Sequence, residues 1–220
     1  TISNDFARRI GEKVSEKHIR FAGDEDLVDL VWTDRPALSC EPLWELEPKF
    51  AGYTRAEKLE KVREKMNELG ADVFVIPALD EIAWLLNLRG GDVLYTPVFL
   101  SYLLLERGKA TLCVQKEAVS AEIEAHLAAD GVALAPYDDI YPLVASLPKG
   151  TRVLLDGERA NYRITQSVGT GVEMIDRPSP IQLMKAMKHP AEQENERIAH
   201  IRDGVAVTRF IYWLKHTIGK

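Results

Sequence analysis

Residues 73–93 read VFVIPALDEIAWLLNLRGGDV, and this stretch decides the fold. Its first four residues are an uninterrupted apolar run ahead of a proline, which is typical of a strand covered on both faces. Asp80 is the expected N-cap of a short helix that continues to Asn87. A buried strand followed closely by a helix indicates an α/β domain.

The same alternation of strands and helices extends in both directions. Upstream, Thr54 and Glu57 form a capping box, and apolar residues then recur at helical spacing until Gly70. Downstream, residues 98–105 and 110–114 predict an antiparallel hairpin. Further strands are predicted at 132–135, 152–156 and 171–175, with helices between them. The fold class is therefore α/β, with a mixed sheet flanked by helices.

A helix is also predicted near each end of the chain. One covers residues 3–14, with Ser3 or Asn4 as its cap. The other is a long C-terminal helix that begins at Pro190 and has Gly219 as its stop. Apolar residues cover nearly every face of its second half, and such a helix requires partners on every side. We expect those partners in chain outside residues 1–220; the alternative is a helix packed in the middle of the domain.

Composition limits the class of protein. The chain has 220 residues, of which 46% are hydrophobic and 28% are charged, as in ordinary globular domains. The net charge of −6 argues against nucleic acid or an anionic membrane as partner. No apolar run approaches the ~20 residues of a membrane span, and the first residues lack a signal-peptide pattern. Cys40 and Cys113 make no disulfide framework, which favours a cytoplasmic location.

Residue patterns that carry chemistry are scarce. None of the five histidines forms a metal-binding pair on one helix face, and His200 with Asp203 is best interpreted as a surface ion pair. Neither a phosphate-binding glycine loop nor a nucleophile elbow occurs. We therefore predict no catalytic residue and no metal ligand in this chain.

One polar segment remains as a candidate site. Asn87 and Arg89, just after the short helix, are candidates for the edge of a cleft. The alternative is that Arg89 pairs locally with Asp92 and that the adjacent glycines serve only the turn.

Five motifs together resemble three-domain Xaa-Pro aminopeptidases. Residues 79–93 and the following YTPVFLSY at 95–102 are similar to the central domain of that family. LVDLVWTDRP at 27–36 is similar to the end of its first domain. KAMK at 185–188 with Glu192, and AHIRDGVA at 199–206, are similar to the entry and first helix of its catalytic domain. Their order and spacing match across nearly the whole chain.

The resemblance implies a fold and a division into domains. The central domain has a creatinase-like α/β fold, related in outline to ribonuclease H. Residues 1–49 correspond to the end of the first domain and a connector, residues 50–180 to the central domain, and residues 181–220 to a linker and the first helix of the catalytic domain. That catalytic domain, with a pita-bread fold, is expected to lie outside this chain.

The resemblance also implies an activity for the parent protein. The family's catalytic domain holds two divalent metal ions, usually manganese, which activate water against the peptide bond before a proline in second position. This chain alone is expected to be inactive and to be a scaffold for the substrate cleft and for subunit contacts in a homodimer. Self-association is expected through Phe210 and Trp213.

Two other functions are alternatives. One is a non-enzymatic protein-binding module, because some pita-bread relatives lack the metal ligands. The other is a nuclease, for which the ribonuclease H outline gives little support, because the predicted central strands at 73–76 and 98–105 carry no carboxylate.

Overall fold

The structure is a computed structural model, and it describes residues 2–23, 27–28 and 30–218. The helices are α1 (Asn4–Ser15), α2 (Pro48–Ala51), α3 (Arg55–Glu68), α4 (Leu79–Leu86), α5 (Ala121–Ala129), α6 (Ile140–Ala145), α7 (Tyr162–Ser167), α8 (Pro180–Ala186) and α9 (Pro190–Thr217). The strands are β1 (Trp44–Glu45), β2 (Val73–Ile76), β3 (Leu88–Arg89), β4 (Ser101–Glu106), β5 (Ala110–Val114), β6 (Val132–Ala135), β7 (Arg152–Leu155) and β8 (Glu173–Asp176).

Six of the strands form one mixed sheet in the order β6-β5-β4-β2-β7-β8. β4 pairs antiparallel with both β2 and β5, so the predicted hairpin is confirmed. The remaining contacts, β5 with β6 and β7 with both β2 and β8, are parallel. A separate two-stranded antiparallel sheet joins β1 to β3. The predicted mixed sheet with flanking helices is confirmed.

β2 lies at the centre of the core and is buried on both faces, as predicted. Val73 and Val75 pack on one side of the sheet, in the cluster that α6 and α7 complete. Phe74 and Ile76 pack on the other side, with apolar residues of α3, α4 and α5. Burial of each such side chain stabilises the fold by roughly 1.5–3 kcal/mol. The short apolar run therefore connects both layers of helices.

The first strand of the hairpin begins later than predicted, at Ser101 instead of residue 98. The preceding backbone is engaged by the loop that follows β3. The Leu100 amide donates to the Asp92 carboxylate at 2.8 Å, and the Asp92 amide donates to the Val98 carbonyl at 3.3 Å. These groups are unavailable for pairing with a strand, so the ladder starts three residues later.

Asp80 does not cap α4, contrary to the prediction. The helix begins at Leu79 with Ala78 as its N-cap, and no side chain bonds there. The Asp80 carboxylate instead forms an ion pair with Lys185 of α8. Its charge still lies in the first turn of the helix, where the macrodipole favours it.

A second carboxyl in the same turn also bonds the segment that leads into α8. Glu81 is 1% exposed and accepts a 2.6 Å hydrogen bond from the Ser179 hydroxyl. Its burial raises the pKa of Glu81 above the usual range. The start of α4 therefore docks α8 through both Asp80 and Glu81.

The helices predicted near both ends of the chain are present. Ser3 caps α1 by accepting from the Phe6 amide, and Pro190 occupies the first turn of α9. Gly219, the predicted stop of the last helix, lies outside the described residues. Every residue from 196 to 218 is exposed. A helix packed in the middle of the domain is therefore the wrong alternative for that part of α9.

Gly90 is required where β3 passes under the start of the hairpin. A Cβ on Gly90 would lie 2.7 Å from the Phe99 Cβ and 3.0 Å from a Leu43 methyl carbon. We expect Gly90→Ala to lower the free energy of unfolding by about 1–3 kcal/mol, because a well-packed core must shift to accept the methyl group. Urea denaturation measures the change.

The adjacent glycine is the matched control. A Cβ on exposed Gly91 would approach no atom closer than 3.4 Å, an ordinary contact. We expect Gly91→Ala to change the free energy of unfolding by less than about 0.5 kcal/mol. Equal effects at the two positions would contradict the packing argument.

Candidate functional site

Asn87 and Arg89, the two predicted cleft-edge residues, follow the carboxyl end of α4. Asn87 is the C-cap residue and adopts the left-handed conformation, with φ 53° and ψ 32°. Asparagine tolerates this region better than most residues that have a Cβ. The helix therefore ends at Asn87, and the chain turns into β3, where Leu88 and Arg89 pair with β1.

Three cationic side chains bind the carbonyl groups at this end of α4, and we call them the α4 cationic cap. The last four carbonyls of a helix lack intrahelical partners, and they form the negative end of the helix dipole. The three bonds are from Arg55 Nε to Leu86 O (2.8 Å), from Lys58 Nζ to Trp84 O (2.9 Å) and from Arg89 Nη1 to Ala83 O (2.7 Å). The cap joins α3 and β3 to α4.

Lys58 is the most buried member of the cap, at 1% exposed. Its ammonium also donates to Asn87 Oδ1 at 2.7 Å and lies 4.3 Å from the centre of the Trp84 ring. Among the described residues, no carboxylate forms a hydrogen bond or ion pair with it. Burial lowers the pKa of Lys58 to about 8, and the charge of Glu192 only partly opposes this effect.

Arg55 connects the cap to β1 and to the end of α5. Its guanidinium lies 2.6 Å from a Glu45 oxygen of β1 and 2.8 Å from an Asp130 oxygen just after α5. The other Glu45 oxygen lies 2.8 Å from His126 Nδ1. Burial opposes ionisation of Glu45, but the hydrogen bonds from His126 and Arg55 outweigh it and lower the pKa of Glu45. The network fixes β1 against α3 and α5.

The structure places Asn87 and Arg89 in different surroundings. Asn87 is 4% exposed, and its amide also donates to the Tyr53 carbonyl at 2.9 Å. It lines a pocket between β1, α3 and α5 together with Glu45, Arg55 and His126. Arg89 lies outside that pocket and is half-buried. The two residues therefore share the end of α4 but not one cavity.

The alternative prediction, a local ion pair between Arg89 and Asp92, does not match the structure. Its Nη1 bonds only main-chain carbonyls, while Asp92 accepts from the Glu41 and Leu100 amides. Arg89 and Asp92 therefore do not form the local pair. Arg89 Nε and Nη2 make no hydrogen bond within the part of the chain that the structure describes. A role at the edge of a cleft stays a prediction for Arg89 and for Asn87.

Sequence reasoning missed Lys58 and Arg55. A signal was present, because the buried positions of α3 are Arg55, Lys58, Leu59, Val62 and Met66, and this spacing follows one helix face. The two cations continue the apolar stripe toward the N-terminus of the helix. A charged residue at a position where the pattern requires an apolar one indicates a buried, bonded cation.

The histidines and carboxylates of the described residues do not converge on a metal site. In residues 2–23, 27–28 and 30–218, no group of three or more His, Cys, Asp or Glu side chains converges as a metal site would require. His200 lies 3.7 Å from Glu196, one turn earlier, instead of pairing with Asp203. A two-metal centre therefore finds no fitting ligand set among these residues.

Phe210 and Trp213, the predicted self-association residues, lie on α9. They are 57% and 52% exposed, and their ring centres are 6.0 Å apart. They share one face of the helix and form an exposed aromatic knob. Whether a second copy covers it stays a prediction.

Comparison with known proteins assigns the chain to a family. Residues 34–192 match the creatinase/prolidase N-terminal domain. The chain belongs to this family. The matched range includes the hairpin, the candidate pocket and the whole α4 cationic cap.

Individual relatives of this creatinase/prolidase N-terminal domain are longer than the chain. A protein of Neurospora crassa named "Probable Xaa-Pro aminopeptidase P" is 37% identical over 87% of this chain, which covers 30% of that protein. A protein of the same name from Botryotinia fuckeliana is 36% identical over 99% of the chain and 35% of its own length. The chain thus spans about a third of these relatives.

One solved structure is similar along the entire chain. It is an X-prolyl aminopeptidase from Caenorhabditis elegans, described as a cytosolic enzyme with a di-nuclear active site. The TM-score is 0.90 at 28% identity, and the match covers 100% of this chain and 37% of the enzyme. The long α9 is therefore part of the shared architecture.

None of the described helices combines the length and the apolarity needed to cross a bilayer. Even α9, with 28 residues, is too polar.

The low pKa of Lys58 predicts a specific dependence of stability on pH. Below about pH 8 the ammonium is charged in both the folded and the unfolded chain, so the folded state bears the cost of its burial. Between about pH 8 and pH 10.5 the unfolded chain binds more protons, so the free energy of unfolding rises with pH. We expect a rise of about 3 kcal/mol for wild type relative to Lys58→Met.

Urea denaturation of wild type and Lys58→Met from pH 7 to pH 10.5 measures how the difference between their free energies of unfolding changes with pH. Tyrosine titration affects both proteins equally, so it cancels in that difference. Lys65→Met is the matched control, because Lys65 lies on the same helix in an exposed pair with Glu68. Its difference from wild type should stay constant over the same range. A constant difference for Lys58→Met as well would show that the Lys58 ammonium is not desolvated.

Proposed function

We propose that this chain is the non-catalytic scaffold of a metal-dependent Xaa-Pro aminopeptidase, which removes an N-terminal residue that precedes proline. One observation carries the proposal: the chain matches a solved X-prolyl aminopeptidase along its whole length with a TM-score of 0.90. The Xaa-Pro aminopeptidase P relatives, at 36–37% identity, support the same activity.

The catalytic chemistry of the proposed parent belongs elsewhere in that protein. The di-nuclear site of the C. elegans enzyme supports two divalent metal ions in the parent, and we propose manganese. Such a pair supplies an activated water and stabilises the oxyanion when it is bound. The described residues of this chain offer no ligand set for it, so we assign no reaction step to them.

The scaffold role has two parts. First, Arg89 and, less directly, Asn87 shape the edge of the cleft that receives a peptide with proline in second position. Arg89 suits this position because its Nε and Nη2 are left without bonds to described residues, while Nη1 is fixed on the end of α4. Second, the chain contributes subunit contacts of a cytoplasmic homodimer, and the exposed Phe210 and Trp213 of α9 support self-association.

A protein-binding module without enzymatic activity is the alternative. The exposed apolar residues of α9 favour it, because surfaces of that kind commonly mark protein contacts. The sequence of the full-length parent separates the two functions. Two Asp, one His and two Glu as metal ligands in the remainder would favour the aminopeptidase, and their loss would favour the binding module.

A peptidase assay tests the scaffold role directly. The purified 220-residue chain, with Mn²⁺ and a peptide that has proline in second position, should show no turnover above buffer. The C. elegans enzyme, assayed in parallel, is the positive control for substrate and metal. Proline-dependent cleavage that increases with the concentration of the chain would overturn the proposal that it is non-catalytic.

A further inference from the structure

Ser179, the N-cap of α8, is bonded by two buried carboxyl groups from different elements. The Ser179 hydroxyl donates to Glu81 Oε2 at 2.6 Å, and the Ser179 amide donates to Asp156 Oδ2 at 3.2 Å. The same hydroxyl oxygen accepts from the Ile181 amide and so caps the helix. Both carboxyl groups are buried, and Asp156 directly follows β7. The start of α8 is therefore fixed between α4 and the end of β7.

The two carboxyl groups differ in the number of donors that reach them. Asp156 accepts three hydrogen bonds, two from main-chain amides and one from the Gln182 side chain. Among the described residues, Glu81 accepts only the bond from Ser179, and its Oε1 has no partner. A buried carboxylate is stable only where donors replace its lost hydration. The hydrogen bonds therefore accommodate a charge on Asp156 but not on Glu81.

The charged groups around Glu81 do not supply the missing compensation. Asp80, its neighbour in sequence, repels a second negative charge. Lys185 of α8 and Arg159, just after β7, attract one, but both already pair with the Asp80 carboxylate. Burial is the largest effect, and it raises the pKa of Glu81 above the ordinary glutamate value. The Glu81 side chain therefore stays neutral as the pH rises past that value.

We propose that Glu81 is a pH-sensitive latch for α8. The neutral side chain holds Ser179 and the start of α8 on α4. When its proton is lost to solvent, a buried carboxylate with a single donor remains. Movement of α8 away from α4 lets water reach that carboxylate and relieves the cost. Because the docked state binds the proton more tightly than the exposed state does, docking of α8 weakens as the pH rises.

The latch acts on the attachment of α9 to the rest of the domain. α8 is the last element before α9, and only residues 187–189 lie between them. The start of α9 has a second attachment, an edge contact of His189 with Tyr53 whose ring centres are 4.9 Å apart. Ionisation of Glu81 weakens the attachment through α8 and leaves the one through His189. The inference does not rest on the proposed peptidase activity, because no peptidase measurement enters its test.

Amide hydrogen exchange of the 220-residue chain tests the latch. The Met187 amide donates to the Leu183 carbonyl at 3.1 Å and reports on α8. Protection of this amide is corrected for intrinsic exchange and for any change in the β4–β5 hairpin. Between pH 5 and pH 8 the corrected protection should fall about tenfold in wild type. In Glu81→Gln, which cannot ionise, it should stay constant. Histidine titration is common to both proteins and cancels in the comparison.

A control variant and a measurement on the unmutated chain complete the test. Glu60→Gln removes an exposed glutamate of α3 and should keep the wild-type response. Carbon-13 NMR of the Glu81 carboxyl follows its ionisation without any substitution, and the midpoint should lie above the ordinary glutamate value. A midpoint at or below that value would overturn the proposal. Equal α8 protection at pH 5 and pH 8 in wild type, or equal responses of wild type and Glu81→Gln, would also overturn it.

Discussion

The carboxyl end of α4 is the point on which the described structure depends, because α3, β3, β1 and α5 are all held there. A helix that ends inside a protein leaves its last carbonyls without partners, and burying them unbonded would cost free energy. Arg55, Lys58 and Arg89 bind these carbonyls, and Arg55 extends the network to Glu45 and Asp130. Burial of Lys58 in this cap lowers its pKa to about 8, because an ammonium loses hydration there.

How much could be predicted from sequence depended on where the bonding partner lay. The buried strand β2, the Thr54 capping box, the β4–β5 hairpin and α9 were predictable, because each follows from residues close together in the chain. The cationic cap was not, since Arg55 and Lys58 bond main-chain carbonyls 31 and 26 residues away. Every residue has a carbonyl, so no residue pattern identifies those partners. Asp80 was misassigned for a related reason: its partner, Lys185, is remote in sequence.

In the candidate site, too, the residues were predictable from nearby sequence but their remote bonding partners were not. The polar segment after the predicted short helix directed attention to Asn87 and Arg89, and the structure places both at the end of α4. Asn87 is held there by Lys58, and Arg55 binds the adjacent Leu86 carbonyl. The buried face of α3 signals these two cations, but it does not identify what they bind. The start of α9 also lies close to this region, because the Glu192 charge acts on both Lys58 and Arg89. The cap thus lies between segment 79–93, which carries the family resemblance, and the start of α9.

The most direct test of the central role of the cap is amide hydrogen exchange in Arg55→Met. The Leu46 amide, beside β1, donates to the Asn87 carbonyl at 2.8 Å, so it reports whether this segment stays docked on the end of α4. We predict that protection of the Leu46 amide falls at least about tenfold. Protection of amides in the β4–β5 hairpin should change only as far as global stability changes. In the control variant Lys65→Met, protection should stay as in wild type both at Leu46 and in the hairpin. If the Leu46 amide of Arg55→Met exchanged at the wild-type rate, the central role of the cap would be contradicted, because β1 would then stay docked without the Arg55 bonds.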